Sequence, residues 1–344
     1  MQRFVNFCLA VITISLIGYI FLSAKLFFLP LLCAVVMAYI IVTGTQGVRL
    51  FRIKGYRPPY WIAMSLVLVS IVLITQKAIT MIGNNLASLM LLLPDYQEKL
   101  LQKMLTLHQV TGIPIKAEYS QWIENVDLIW LTKLAFGGIT DLISNTGMIA
   151  IYLMFLLIEC RFFDRKIHAL IPDEIKRKKT MSLIQKATSK INSYLKIKTF
   201  VSALTAFFSY MVLIFWEVNF PEFFAFLIFF LNFIPVIGSI FAMAFPCLLT
   251  FIQFDNFAPF IFVTLFLGLI QMIIGNILEP RMIGNSFSLS GFAIIISLSF
   301  WGAIWGVVGM FLSVPITVMA FIALANFSQT RWLAILLSRD GQVE

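Results

Sequence analysis

The stretch LNFIPVIGSI, residues 231–240, sits in the middle of an apolar block that runs from Phe223 to Phe254. That block is too long for one membrane crossing, because about 20 residues at helical rise span roughly 30 Å of hydrocarbon. Pro235 removes an amide donor and clashes with the preceding helical turn, and Gly238 follows three residues on. Asn232 and Ser239 bring polar side chains to the same break. Hydrocarbon tolerates interrupted backbone only where it is buried in protein or lines a wet cavity. The stretch therefore predicts a broken helical hairpin inside a membrane protein, its arms either re-entrant or fully spanning.

A second block of this kind runs from Ser288 to Phe327 and contains SLSFWGAIWGVVGMFLSVP, residues 297–315. Trp301, Gly302, Gly306, Gly309 and Pro315 interrupt it. Small residues at four-residue spacing also serve close helix packing in membranes, which is the simpler reading of the glycines taken alone. Two Pro-broken blocks in one chain favour a central path for a substrate or ion.

Outward from these blocks, the chain of 344 residues is 60% hydrophobic and 12% charged, far from the globular average. Six further apolar runs are candidate spans: Phe4 to Leu22, Leu26 to Thr43, Tyr60 to Thr75, Leu142 to Ile158, Thr199 to Trp216 and Phe260 to Leu278. The first is read as a retained signal anchor, since its apolar core is longer than a signal h-region and another span follows at once. Cys8, Cys33, Cys160 and Cys247 are far apart in or beside apolar runs and show no ligand spacing. No metal site is expected.

Net charge is +9, yet nucleic acid is not the expected partner, because the basic residues cluster in two loops beside spans. Arg49 to Arg57 holds four basic residues and no acid, and Glu159 to Lys198 holds eleven basic against four acidic. Asn84 to Asp141 holds four Lys against six acids. The positive-inside rule then puts both basic loops and both termini in the cytoplasm. Leu100, Leu101, Met104 and Leu105 recur at helical spacing in the outer segment, with a second set at Trp122, Val126, Ile129 and Trp130. In the inner segment Ile184, Ala187, Ile191 and Leu195 form a stripe opposite Lys186 and Lys190, which is either a lipid-headgroup face or an ordinary solvated one.

The expected organisation is all-α and polytopic, with about six spanning helices plus two Pro/Gly-broken hairpins. Residues 1–82 form N-terminal spans, 83–141 a small extracytoplasmic helical cap, and 142–198 a span with a basic cytoplasmic segment. Residues 199–327 form a transport core and 328–344 a tail. Within the core, one span plus a hairpin entered from outside precedes one span plus a hairpin entered from inside, the inverted-topology repeat of secondary transporters.

Between the two hairpins lies GNILEPRMIGNS, residues 275–286, and after Arg281 no charged residue follows until Arg331. Asn276, Glu279, Pro280 and Arg281 are placed at a helix end beside the mouth of the second hairpin. One reading is a kinked end whose charges meet headgroups and water. The other is a gate, with Glu279 or Arg281 paired to backbone freed at Pro280, since ionisable residues inside membranes are functional sites by default. Glu279 and Arg281 are not expected to pair directly, because residues two apart on a helix do not face each other.

These segments resemble the autoinducer-2 exporter family, the AI-2E or PerM-like permeases, which carry NFIPxIGS-like, NxxEPRxxG-like and SLxFWGxxWGxxGMxLSVP-like patterns. Here they stand as NFIPVIGS (232–239), NILEPRMIG (276–284) and the 297–315 stretch. The resemblance is close over residues 199–327 and looser before them. It implies a bacterial inner-membrane protein with about eight hydrophobic segments, a homo-oligomer in a lipid bilayer. It also implies export of a small polar molecule such as autoinducer-2, or exchange of Na+ or Li+ for H+. Where the family usually carries an LSP-like triplet, this chain has Leu289, Ser290 and Gly291.

Other classes lack support. His108 and His168 stand alone with no HExxH or GxSxG around them, so no enzyme is expected, and no cofactor. No GxxxxGK[ST] phosphate loop is present, so transport would be passive or coupled to an ion gradient. The remaining alternative is a membrane scaffold that transports nothing.

Overall fold

The computed structural model describes residues 12–13, 16, 18–50, 57–111, 145–284 and 289–342. The expected first span and the second apolar set of the outer segment lie largely or wholly outside them. The described residues are almost entirely helical. Among the described residues, five helices are long and apolar enough to cross a membrane, or six if one bent pair counts as a span. The chain is thus an all-α polytopic membrane protein. It divides into two compact units, one of Met1–Ala78, Phe136–Ser182 and Ser299–Leu312, the other of Ile79–Ala135, Leu183–Leu298 and Ser313–Glu344.

In the first unit, α1 (Lys25–Leu50) and α2 (Tyr60–Thr111) approach closely at Gly44, where a Cβ would stand 3.2 Å from Val67. The bent pair is α3 (Thr146–Glu159) and α4 (Phe163–Leu170), which meet at 65°. Leu66, Val69, Ile151 and Phe155 are exposed, as lipid-facing residues must be when the solvent is hydrocarbon. An apolar cleft of about 620 Å³ is lined by residues such as Val42, Met64, Leu153 and Leu157, and none of the expected path residues borders it.

The second unit is built on α5 (Glu174–Phe215), a helix of 42 residues without a break. The sequence divides this stretch at residue 198 into a cytoplasmic segment and a span. Neither Pro nor Gly interrupts it, so both parts form one rod of about 63 Å. The boundary expected at residues 82–83 falls inside α2, which carries Gly83 and Pro94 without ending at either. The long span that follows the first apolar block is α8 (Phe257–Ile270), a π-helical turn π1 (Gln271–Leu278) and α9 (Glu279–Ile283) in succession.

Both broken blocks are hairpins. The first consists of α6 (Pro221–Leu231) and α7 (Ile237–Gln253), about 16 and 25 Å long, so neither arm crosses roughly 30 Å of hydrocarbon. Gln253 at the end of α7 returns to where α6 begins: its amide donates to the Glu217 carbonyl and accepts from the Asn219 N–H, both at 2.8 Å. The first block is therefore a hairpin whose two ends meet. The second lies within α10 (Gly291–Asn326), which breaks at Gly306 with φ 65° and ψ −145°. Only glycine adopts such a conformation without strain. Ser297 on the first arm donates to the Ser313 carbonyl on the second at 3.2 Å, so these arms also run back along each other. A short α11 (Arg331–Leu337) buries Ala334 with Tyr194, Leu289, Val318 and Phe321.

Candidate transport site

The tip of the first hairpin is a tight reversal. Val236 has φ 61° and ψ −63°, and the Ile237 N–H donates to the Pro235 carbonyl at 2.7 Å. This is the rare positive-φ γ-turn, strained for any residue and more so for a β-branched one. Gly238 is fixed by sterics, since a Cβ there would lie 2.8 Å from the Leu231 carbonyl carbon. Gly309 plays the same part in the second hairpin, where a Cβ would lie 2.7 Å from the carbonyl carbon of Trp301. Strain of this kind, of order 1–3 kcal/mol per residue, persists only where surroundings hold it and gathers at functional sites.

The anchor of the first tip is Asn232, which is buried and donates from its side-chain amide to the Ser202 hydroxyl at 3.2 Å. Ser202 belongs to a buried polar stripe on α5 made of Lys198, Ser202, Thr205 and Ser209. Spacings of four, three and four residues put these side chains on one helix face. Within an apolar span such a face has no place against lipid, and it turns instead into the protein.

One turn from Ser202, the Lys198 ammonium forms an ion pair with the Glu279 carboxylate. The Lys198 side chain is 5% exposed and that of Glu279 14%. Glu279 arrives there because π1 widens the end of the last span. Pro280 has no N–H to give the preceding turn, and the Glu279 N–H reaches back five residues to Ile274. Single π-helical turns of this type recur at functional sites. Glu279 therefore pairs with a lysine 81 residues away, not with backbone at the Pro280 break as the sequence suggests. Pro280, Arg281 and Asn276 are exposed.

Of the remaining expected path residues, Pro235 and Ser239 are partly buried at the first tip, and the Ser239 hydroxyl donates to the Val236 carbonyl at 2.8 Å. Trp301, Gly302, Gly306 and Gly309 fall in the first unit. There the rings of Trp301 and Trp305 stack at 4.6 Å, with Phe21 edge-on to both. Pro315 is buried on the returning arm, where the Thr317 hydroxyl donates to the Ser313 carbonyl at 2.6 Å and pairs with Ser297. In place of the expected proline, Ser290 caps the start of α10 by accepting from the Ala293 N–H at 3.1 Å. Its own N–H donates to the Leu337 carbonyl at 2.9 Å.

The structure thus joins Asn232 and Glu279 through α5, and the residues that join them, Lys198 and Ser202, are absent from the expected set. Their signal was the stripe at helical spacing. Lys198 is hidden in the sequence because it counts as one of eleven basic residues in an apparently cytoplasmic segment.

A polar stripe inside a span, faced by a strained hairpin tip and a buried ion pair, is an arrangement suited to a membrane transporter. Residues 8–329 match the AI-2E family transporter, and the chain belongs to that family. It is 31% identical over 288 residues, 82% of each chain, to the AI-2 transport protein TqsA of Escherichia coli K12. A putative transport protein of Borreliella burgdorferi B31 is 33% identical over 254 residues, 72% of this chain and 68% of its own. Another from Haemophilus influenzae Rd is 30% identical over 330 residues, 92% and 90% of the two chains.

Proposed function

We propose that the chain is a secondary transporter that exports a small polar molecule of the autoinducer-2 type across the bacterial inner membrane. Both termini are then cytoplasmic, and the protein works as a homo-oligomer in lipid. The observation that carries this reading is the Lys198–Glu279 pair one turn from the Asn232–Ser202 contact. A polyhydroxylated solute supplies donors and acceptors that can replace the Asn232–Ser202 bond, so the hairpin tip has two hydrogen-bonded arrangements. Exchange between them is the gating step. The backbone at the first break, with Pro235, Gly238 and Ser239, lines the path, and Asn276, Pro280, Arg281 and Pro315 shape its ends.

The ion pair favours a second reading, cation/proton antiport. Na+ competes with the Lys198 ammonium for the Glu279 carboxylate, and a proton discharges the same carboxylate. The two readings separate in proteoliposomes of the purified chain. Efflux of a labelled polyol that stops when proton and sodium gradients are collapsed supports export coupled to an ion. Sodium-dependent proton movement without polyol flux supports antiport. Movement of neither leaves a membrane scaffold and overturns both.

A further inference from the structure

We infer that Lys103 is a latch that fastens the open end of the first hairpin to α2 and so sets the position of the hairpin tip. Lys103 lies beyond the apolar part of α2, which ends at Leu92, yet it is 8% exposed. Its ammonium donates to the carbonyl oxygens of Phe251, in the last turn of α7, and of Phe254, the residue that ends that helix. It also stands 5.0 Å from the centroid of the Phe251 ring and 5.5 Å from that of Phe257.

Each of these contacts has an independent physical cause. The last carbonyls of a helix have no partner within it, and they form the negative end of its dipole, where a cation is stabilised. Aromatic faces attract the same charge. These acceptors and ring faces offset part of the cost of burying an ammonium group, and α2 delivers one on a tether. Seven residues earlier on the same helix, the buried Tyr96 hydroxyl accepts from the Asn219 side chain at 2.8 Å. Two points of one helix thus hold both strands of the hairpin's open end.

What they hold is strained. Glu217 and Phe220, in the link that leads from α5 into the hairpin, have φ of 51° and 61°, a region that non-glycine residues rarely enter. Such backbone stays put only while its neighbours constrain it. Release of Lys103 lets the link relax and the hairpin swing on it, carrying Asn232 off Ser202. Lys103 is in this sense a positioning residue for the proposed transport step. The latch itself is a statement about the hairpin and is tested without any transported solute.

The test uses the full chain in lipid nanodiscs and reads amide hydrogen exchange over residues 217–222 and 249–257. Lys103→Met and Lys103→Ala are expected to speed exchange there about tenfold, equal to ~1.4 kcal/mol of lost protection. Lys77→Met, on the same helix and not among the charges that act on Lys103, is expected to change nothing. Methylammonium chloride added to Lys103→Ala should restore slow exchange by refilling the receptor, while equal sodium chloride should not. Wild-type exchange in Lys103→Met overturns the latch. So does loosened exchange in Lys103→Ala that methylammonium leaves unaltered, because the side chain then acts through packing alone. Absence of transport by the wild-type protein would sink the transport reading and leave these exchange rates as they are.

Discussion

Lys198 and Glu279, on spans separated by the whole first hairpin, meet as a buried ion pair one helical turn from the hairpin's own anchor at Ser202. Removing one member of a buried pair leaves the other charge uncompensated, at a cost of about 3–5 kcal/mol, whereas replacing both with apolar groups is often neutral. Glu279→Gln and Lys198→Met should each lower thermal stability in detergent, and Lys198→Met with Glu279→Leu should recover it. Transport in liposomes should be lost in all three. Lys196→Gln, at an exposed position two residues away, should keep both. A double variant that transports normally would reduce the pair to a structural staple.

The Asn232–Ser202 bond predicts a smaller change. Ser202→Ala strands a buried amide, costing about 1–3 kcal/mol, and should accelerate leak of the solute because the tip loses its resting contact. Asn232→Leu should abolish specific flux with a similar loss of stability. The two outcomes are read from efflux rates at matched protein amounts.

Gly238→Ala and Gly309→Ala place a methyl group against a carbonyl of the opposite arm. Overpacking of this kind costs typically 1–3 kcal/mol and sometimes more, so both variants should show reduced monodisperse yield after extraction. Gly83→Ala and Gly147→Ala, where nothing lies within 4 Å of the added atom, should extract like the wild type.

The Lys103 latch has a pH dependence whose sign is fixed. Burial lowers the Lys103 pKa from its ordinary 10.5, with Asp255 raising it and Lys99 lowering it further. A released lysine in water holds its proton more tightly than the latched one, so rising pH below about 10.5 favours the latched state. The neutral amine still offers two N–H donors to the two carbonyls. Exchange of residues 249–257, corrected for intrinsic rate, should therefore slow as pH rises from 8 toward 10 in the wild type. It should be flat in Lys103→Arg, whose guanidinium keeps its charge throughout.

The class of the protein was legible in its composition, and the two hairpins in Pro235, Gly238, Gly306 and Gly309, because a break draws proline, glycine at a positive φ as at Gly306, and glycine where two arms touch as at Gly238 and Gly309. Their arms closing on themselves was not, since it depends on Gln253 meeting Glu217 and Asn219, contacts that no local pattern encodes. Glu279 stood out as a lone carboxylate beside a proline, but its partner did not. A lysine at the edge of a basic segment looks the same whether it faces water or a carboxylate 81 residues away. Lys103 was obscured for a related reason, as one charge among several in a segment assigned to solvent.

α5 runs from Glu174 to Phe215 without a break, and Lys198 stands 24 residues, or about 36 Å, from its charged end. A bar of that length has mechanical advantage. If it pivots near Lys198, a tilt of ~5° displaces the far end by ~3 Å, while the Ser202 hydroxyl, about 6 Å from the pivot, shifts by only ~0.5 Å. With that pivot, a displacement of the lysine-rich end reaches the Ser202 hydroxyl about sixfold smaller.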